Sequence, residues 1–187
     1  MRPPQCPENT CFFTGHRTIP ESKIKEIALC TREQIYRHIA KGYRYFVCGG
    51  AVGFDTISAM QVARVRAGGE EIFLILALPC RDQTAMWKNT EMLRLYQRIK
   101  GMADDIVYVN DLFFKGCMME RNQFMVNRSS ACIAYFNGHR TGGTAQTVRM
   151  AQQRNIPVAN VYGMTAGGTL SEQTGESVPN LFNSDKK

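Results

Sequence analysis

The chain has 187 residues, 44% of them hydrophobic and 21% charged, and 23 Lys and Arg against 16 Asp and Glu give a net charge of +7. That length suffices for one domain with a substantial core and does not require two. The longest unbroken apolar stretch, Ile72 to Pro79, falls far short of the roughly 20 residues that span a bilayer, and the N-terminal residues carry no charged-then-apolar leader pattern, so a cytoplasmic protein without a membrane partner is expected.

In chain order, Cys11-Phe12-Phe13 reads as a first strand, ended by Thr14-Gly15-His16-Arg17. Residues 21–41 place Ile24, Ile27, Ala28, Ile35 and Ile39 at helical spacing, and Gly42 stops that helix. A second strand over 43–48 runs into Gly49-Gly50-Ala51-Val52-Gly53-Phe54-Asp55 and a helix over 54–67, which Gly68-Gly69 break. The run 72–78 shows no polar alternation, as in a strand buried on both faces of a parallel sheet. After Pro79-Cys80-Arg81-Asp82, a helix over 83–100 carries Met86, Leu93, Tyr96 and Ile99 on one face. A strand over 105–110, a loop through Phe113-Phe114-Lys115-Gly116 and a Met-rich helix over 117–128 follow. A strand over 131–136, a glycine-bearing loop to Thr144, a helix over 145–154 and a strand over 156–162 close the pattern. Strands alternating with helices of this length imply βαβ units, a mostly parallel sheet and an α/β fold. The organisation expected is one domain over residues 1–163 and a polar tail over 164–187, attached loosely or disordered.

Seven cysteines are an odd count without a C-x-x-C pair, and Cys11, Cys48 and Cys132 lie in apolar runs where a reduced thiol behaves as a small hydrophobe. Three widely separated histidines lack metal-ligand spacing, so neither a metal nor a cofactor is expected. The basic residues are scattered, without the aromatic interleaving of single-strand binders, which points to anion preference more than to DNA.

Three glycine-bearing loops follow predicted strands: Thr14-Gly15-His16-Arg17, the stretch Gly49, Gly50, Ala51, Gly53 to Asp55, and Gly142-Gly143-Thr144. In an open parallel sheet these loops share one edge, where ligands bind. A glycine turn opening a helix leaves N–H groups free for an anion, and three such loops favour a phosphate-bearing ligand, although G-x-G-x-x-G is not met. Arg17 suits a phosphate as a planar fork and suits a plain surface position equally. His16 can meet a ribose or base, or merely pack. Asp55 fits a helix N-cap, or a ribose hydroxyl, since a carboxylate repels phosphate. Thr144 can donate to phosphate or cap its helix. Within the Met-rich helix, Glu120, Arg121 and Asn122 are polar, and one of them can face the crevice. Trp87 with Gln83 can wall a base or belong to the core, and a lone tryptophan favours the core.

T-G-H-R after strand one, C-G-G-A-V-G-F-D after strand two, L-P-C-R-D-Q-x-x-x-W after strand three, M-x-x-R-N-x-x-M-V and G-G-T-x-x-T together resemble the SLOG superfamily, and within it the YpsA-like family. The resemblance spans residues 10 to about 162 and implies a Rossmann-like three-layer α/β/α fold with a pocket for a nucleotide or nucleotide-derived ligand across the loops named above. The function expected from loops and resemblance together is a sensor or regulatory module in which Arg121 contacts the charged end of the ligand, and a homodimer is expected from the family alone. Two relatives frame alternatives. The LOG phosphoribohydrolases cleave the base from a nucleoside monophosphate with an Arg and a Glu; Arg121 aligns with that arginine, but Ala145-Gln146-Thr147 follow Gly143-Thr144 where a glutamate belongs, leaving Glu120 or Asp55 as substitutes. The DNA-processing protein DprA resembles the Gly49–Asp55 loop and keeps single-stranded DNA as a third possibility.

Overall fold

The computed structural model describes residues 7–166 except residue 86. Six strands, β1 (Thr10–Gly15), β2 (Tyr45–Cys48), β3 (Phe73–Leu78), β4 (Asp105–Tyr108), β5 (Ala131–Tyr135) and β6 (Val158–Asn160), alternate with five helices. These are α1 (Ile24–Ala40), α2 (Phe54–Ala67), α3 (Thr90–Met102), α4 (Cys117–Asn127) and α5 (Gly143–Gln153). The sheet order is β4-β3-β2-β1-β5-β6 and every pairing is parallel.

That order fixes the layers. The chain steps outward from β1 to β4, then crosses back to β5 on the other side of β1. With right-handed crossovers, reversing the direction moves the connecting helices to the opposite face. Accordingly α1, α2 and α3 pack along one face and α4 with α5 along the other. Successive strand residues point to opposite faces. Phe13, Phe46, Leu74, Leu76 and Ile133 thus join the core under α1–α3, while Phe12, Val47, Ile75 and Cys132 join Met125, Val126 and Val148 under α4 and α5. The uninterrupted apolar run of β3 follows directly, since both of its sides are covered. The three-layer α/β/α expectation holds.

Several boundaries differ from the sequence reading. β1 continues to Gly15, because Thr14 and Gly15 still pair with Ala134 and Tyr135 of β5. α3 starts at Thr90, not at residue 83. Asn89 stops it there: its Oδ1 accepts from Glu91 N–H at 2.9 Å and Met92 N–H at 3.0 Å, an N-cap in extended backbone. Residues 83–85 form turns instead, and Met86, expected on the helical face, lies outside the described residues. Only residues 164–166 of the expected tail are described; the rest lies outside them. Among the described residues no helix is long and apolar enough to cross a membrane.

Candidate functional site

The strand order reverses direction between β1 and β5, and the carboxyl ends of strands at such a reversal are the usual ligand position in open parallel sheets. Two loops meet tightly there. Phe54 N–H, first in α2, donates to His16 C=O at 3.1 Å. Gly53 has φ +83°, and a Cβ on it would sit 2.6 Å from that same carbonyl oxygen and against the Arg17 backbone. A Cβ on Gly15 would meet Phe54 at 2.6 Å. The β1–α1 loop therefore lies directly on the start of α2. His16 also ties in β5: its backbone N–H donates to Tyr135 C=O at 3.3 Å, and its Nε2 accepts from Asn137 N–H at 3.1 Å. The ring stands edge-on to Tyr135 at 5.9 Å and tilted against Phe136 at 6.1 Å. His16 joins the ends of β1 and β5 to the start of α2.

Beneath the β2–α2 turn lies a buried pair. Arg121 of α4 is 5% exposed and Asp55 of α2 is 7% exposed, with Nη1 to Oδ2 at 4.0 Å. The same Nη1 donates to Gly49 C=O and, at 3.5 Å, to Ala77 C=O, while Nε donates to Asn122 Oδ1 at 2.9 Å. Asp55 is not the N-cap that the sequence suggests. Gly53 holds that position, and the Asp55 carboxylate folds back to accept Ala51 N–H at 3.2 Å. Burial pushes the Asp55 carboxyl above its ordinary range, against the pull of Arg121, of loop N–H groups and of Arg17. Burial likewise pushes the Arg121 guanidinium down, with Asp55 opposing it. A Cβ on Gly49 would overlap the guanidinium and lie 2.8 Å from Asp55 Oδ2. Gln83, unremarkable in the sequence except beside Trp87, is buried and donates from Nε2 to Gly50 C=O at 3.1 Å. Gly49 C=O, Gly50 C=O and Ala51 N–H are thus all taken by protein groups, and a carboxylate of the chain itself stands at this glycine turn.

The third loop is open. Gly142, with φ +96°, precedes α5 without any side-chain cap, and the first turn of α5 holds no acidic residue. Gly142 and Gly143 are exposed and Thr144 is half-buried. Among the described residues the Thr144 hydroxyl makes no hydrogen bond, so it is not the cap either. The first-turn N–H groups of α5 have no intrahelical acceptors. A Cβ on Gly143 would come 4.0 Å from Asn122 Nδ2, and Asn122 is bonded to Arg121. The Arg121–Asn122 dipeptide thereby links the closed turn to the open one. Glu120 is exposed and makes no ion pair among the described residues. Trp87 packs edge-on to Tyr96 at 5.4 Å, beside the core under α1–α3, as the core reading has it.

One feature escapes the sequence reading. A pocket of about 310 Å³ lies where the β1–α1 loop, the start of α2 and the start of α3 meet. Arg17 and Gly53 of the glycine loops line it; Ile19, Val52, Met92 and Leu95 add apolar walls, with Thr56, Asn89 and Glu91 among the polar groups. An Asn followed by Thr-Glu is an N-cap signature, so the start of α3 was open to detection. Its proximity to α2 was not.

A six-stranded parallel sheet with glycine-bearing loops at its point of reversal makes this a Rossmann-like α/β protein. The chain belongs to the YpsA family (YspA SLOG family), which it matches over residues 12–162. This bears out the resemblance carried by the motifs. It is 28% identical over 133 residues to the uncharacterized SPbeta prophage-derived protein YoqJ of Bacillus subtilis (strain 168), covering 64% of this chain and 75% of YoqJ. Among solved structures, DNA processing protein A (DprA) of Streptococcus pneumoniae superposes with a TM-score of 0.53 at 15% identity, over 80% of this chain and 48% of that one. The Helicobacter pylori DprA, solved for its single-stranded DNA binding mode, gives 0.52 at 19% identity, over 80% and 63%. The protein TM1055 gives 0.50 at 17% identity, over 80% and 72%. The chain thus spans about half of the first DprA and under two thirds of the second, and at these identities the likeness is one of fold.

Proposed function

We propose that the protein binds a nucleotide or nucleotide-derived ligand at the carboxyl ends of β1, β2 and β5 and acts as a sensor or regulatory module. The observation carrying this reading is the uncapped start of α5, exposed at Gly142 and Gly143 and free of acidic residues. Peptide N–H groups and the helix dipole favour a phosphate there. Thr144 and Asn122 supply further donors, Arg17 adds charge from the β1 loop, and Thr14, Gly15 and His16 shape the floor. Gly49, Gly50, Ala51 and Gly53 form the neighbouring wall, which Arg121 and Asp55 hold in place. Membership of a SLOG family supports the same ligand class.

A thermal-shift panel of nucleoside mono-, di- and triphosphates, cyclic nucleotides, NAD and ADP-ribose tests it. A ligand at ~100 times its Kd stabilises the fold by roughly 2.7 kcal/mol, a shift of several degrees. Gly143→Asp, which puts a carboxylate on the first turn of α5, should abolish the shift and leave the unliganded Tm nearly unchanged. No shift with any compound would sink the reading.

DNA is the second reading, favoured by the DprA-like fold and the net charge of +7. It predicts retention on single-stranded DNA that falls steeply as salt rises. A phosphoribohydrolase requires a carboxylate beside the glycosidic bond. The first turn of α5 holds none, Asp55 is buried against Arg121, and of the two substitutes the resemblance leaves, Glu120 is the exposed one. Release of free base on incubation would restore that reading.

A further inference from the structure

Resting on the nucleotide-binding reading, we infer that the pocket between the β1–α1 loop, α2 and α3 receives the heterocyclic base of the ligand, while its phosphate lies toward Arg17 and the sheet edge.

Size is the first argument. About 310 Å³ is at the low end of small-molecule sites, roughly 300–1,000 Å³, and suits one ring system better than an entire dinucleotide. The walls are the second. Ile19, Val52, Met92 and Leu95 present apolar surface from three separate elements. Met92 stays 40% exposed although it stands beside this apolar space. A flexible thioether adapts to the face or edge of a planar ring.

Polar groups set the orientation. Asn89 Oδ1 already accepts two backbone N–H groups, so its Nδ2 is the part left to donate. Thr56 Oγ1 donates to Ala51 C=O at 3.1 Å, which leaves its lone pairs as acceptors. Glu91 places a carboxylate at the pocket, which disfavours a phosphate there. The anionic end must therefore point away from Glu91. Arg17 stands at this pocket and is exposed, and its charge also bears on Asp55 and Arg121 under the β2–α2 turn. It is the group placed to serve both ends.

The test uses AMP, GMP, CMP and UMP against base-free ribose phosphate. Methyl-labelled methionine gives a signal for Met92, assigned with Met92→Leu. That methyl should shift with at least one nucleotide, through the ring current of the base, and stay still with ribose phosphate. Leu95→Trp, which fills the pocket, should weaken the same nucleotide about tenfold or more and leave ribose phosphate binding unchanged. If no nucleotide that binds moves Met92, if ribose phosphate moves it equally, or if the nucleotide that moves it ignores Leu95→Trp, this inference is overturned and the nucleotide reading stands. Failure of every nucleotide and of ribose phosphate to bind overturns both. Should Leu95→Trp fail to fold, the wild-type Met92 signal decides.

Discussion

The Arg121 guanidinium and the Asp55 carboxylate are buried 4.0 Å apart under a turn whose glycine cannot accept a Cβ. Such a pair is weak support when intact and costly when halved. Arg121→Ala removes the donor to Gly49 C=O and Ala77 C=O and leaves Asp55 without its countercharge. It should cost about 3–5 kcal/mol in denaturant melts. Arg121→Ala therefore reports first on folding, and a loss of ligand binding by it carries little information. Asp55→Asn removes charge at constant shape and should cost less. Adding it to Arg121→Ala should recover part of the loss, a departure from additivity expected of contacting residues. The pH dependence has a definite sign. The folded-state pKa of Asp55 is raised above 3.8, so between 3.8 and that raised value the folded state holds more protons than the unfolded one. Stability contributed by this group is present below 3.8 and lost as pH rises through the window. Wild type should lose stability relative to Asp55→Asn across that range; a flat difference would show the carboxyl is not held neutral by burial.

Among the elements, α3 depends most on a single residue at its start. Asn89 ends the turns after β3, sets where α3 begins and thereby positions Met92 and Leu95 at the pocket. Asn89→Ala should destabilise by about 1 kcal/mol in chemical melts and, on the inference above, weaken nucleotide binding more than ribose phosphate binding. The same helix shows why parts of the molecule were legible and others were not. β3 declared itself because seven consecutive apolar residues between Gly68-Gly69 and Pro79 are too short for a helix and suit a strand covered on both faces. α2 was readable from Gly53 to Gly68 because glycines mark both its ends. Residues 83–89 carry no glycine or proline, so periodicity runs through them, and the cap that overrules it is one side chain. At the site, glycine loops were visible because strand ends put them on one edge. That Asp55 turns back onto the first glycine loop was not, since a second-position acid in a helix usually stays by the dipole. Nor was the burial of Arg121, which depends on α4 crossing to the far face of the sheet.

At the scale of the whole molecule, both cores carry built-in reporters. Cys11, Cys30 and Cys48 lie in the core under α1–α3, Cys132 in the one under α4 and α5, and Cys80 and Cys117 are also buried. Burial raises the Cys11, Cys30, Cys48 and Cys132 thiols and pushes Cys80 up to about 12. Thiolate is the reactive form, so these groups are protected both by access and by protonation. The native protein should react promptly with an aromatic disulfide reagent at no more than one of its seven cysteines, Cys6 being outside the described residues. The other six should react only through opening of the fold. Because Cys11, Cys30 and Cys48 lie on one face of the sheet and Cys132 on the other, cooperative unfolding would expose them together, and stepwise labelling of Cys132 apart from Cys11 would mean that the two layers open independently. Ligand binding enters the same measurement. A nucleotide at ~100 times its Kd lowers the globally open population about 100-fold, and labelling in the fast-closing regime slows by that factor. Slowing at Cys11 and Cys132 alike would tie the ligand to the integrity of the whole sheet, as expected for a site at the ends of its central strands. Slowing near Cys80 alone would place it instead at the edge beyond β3.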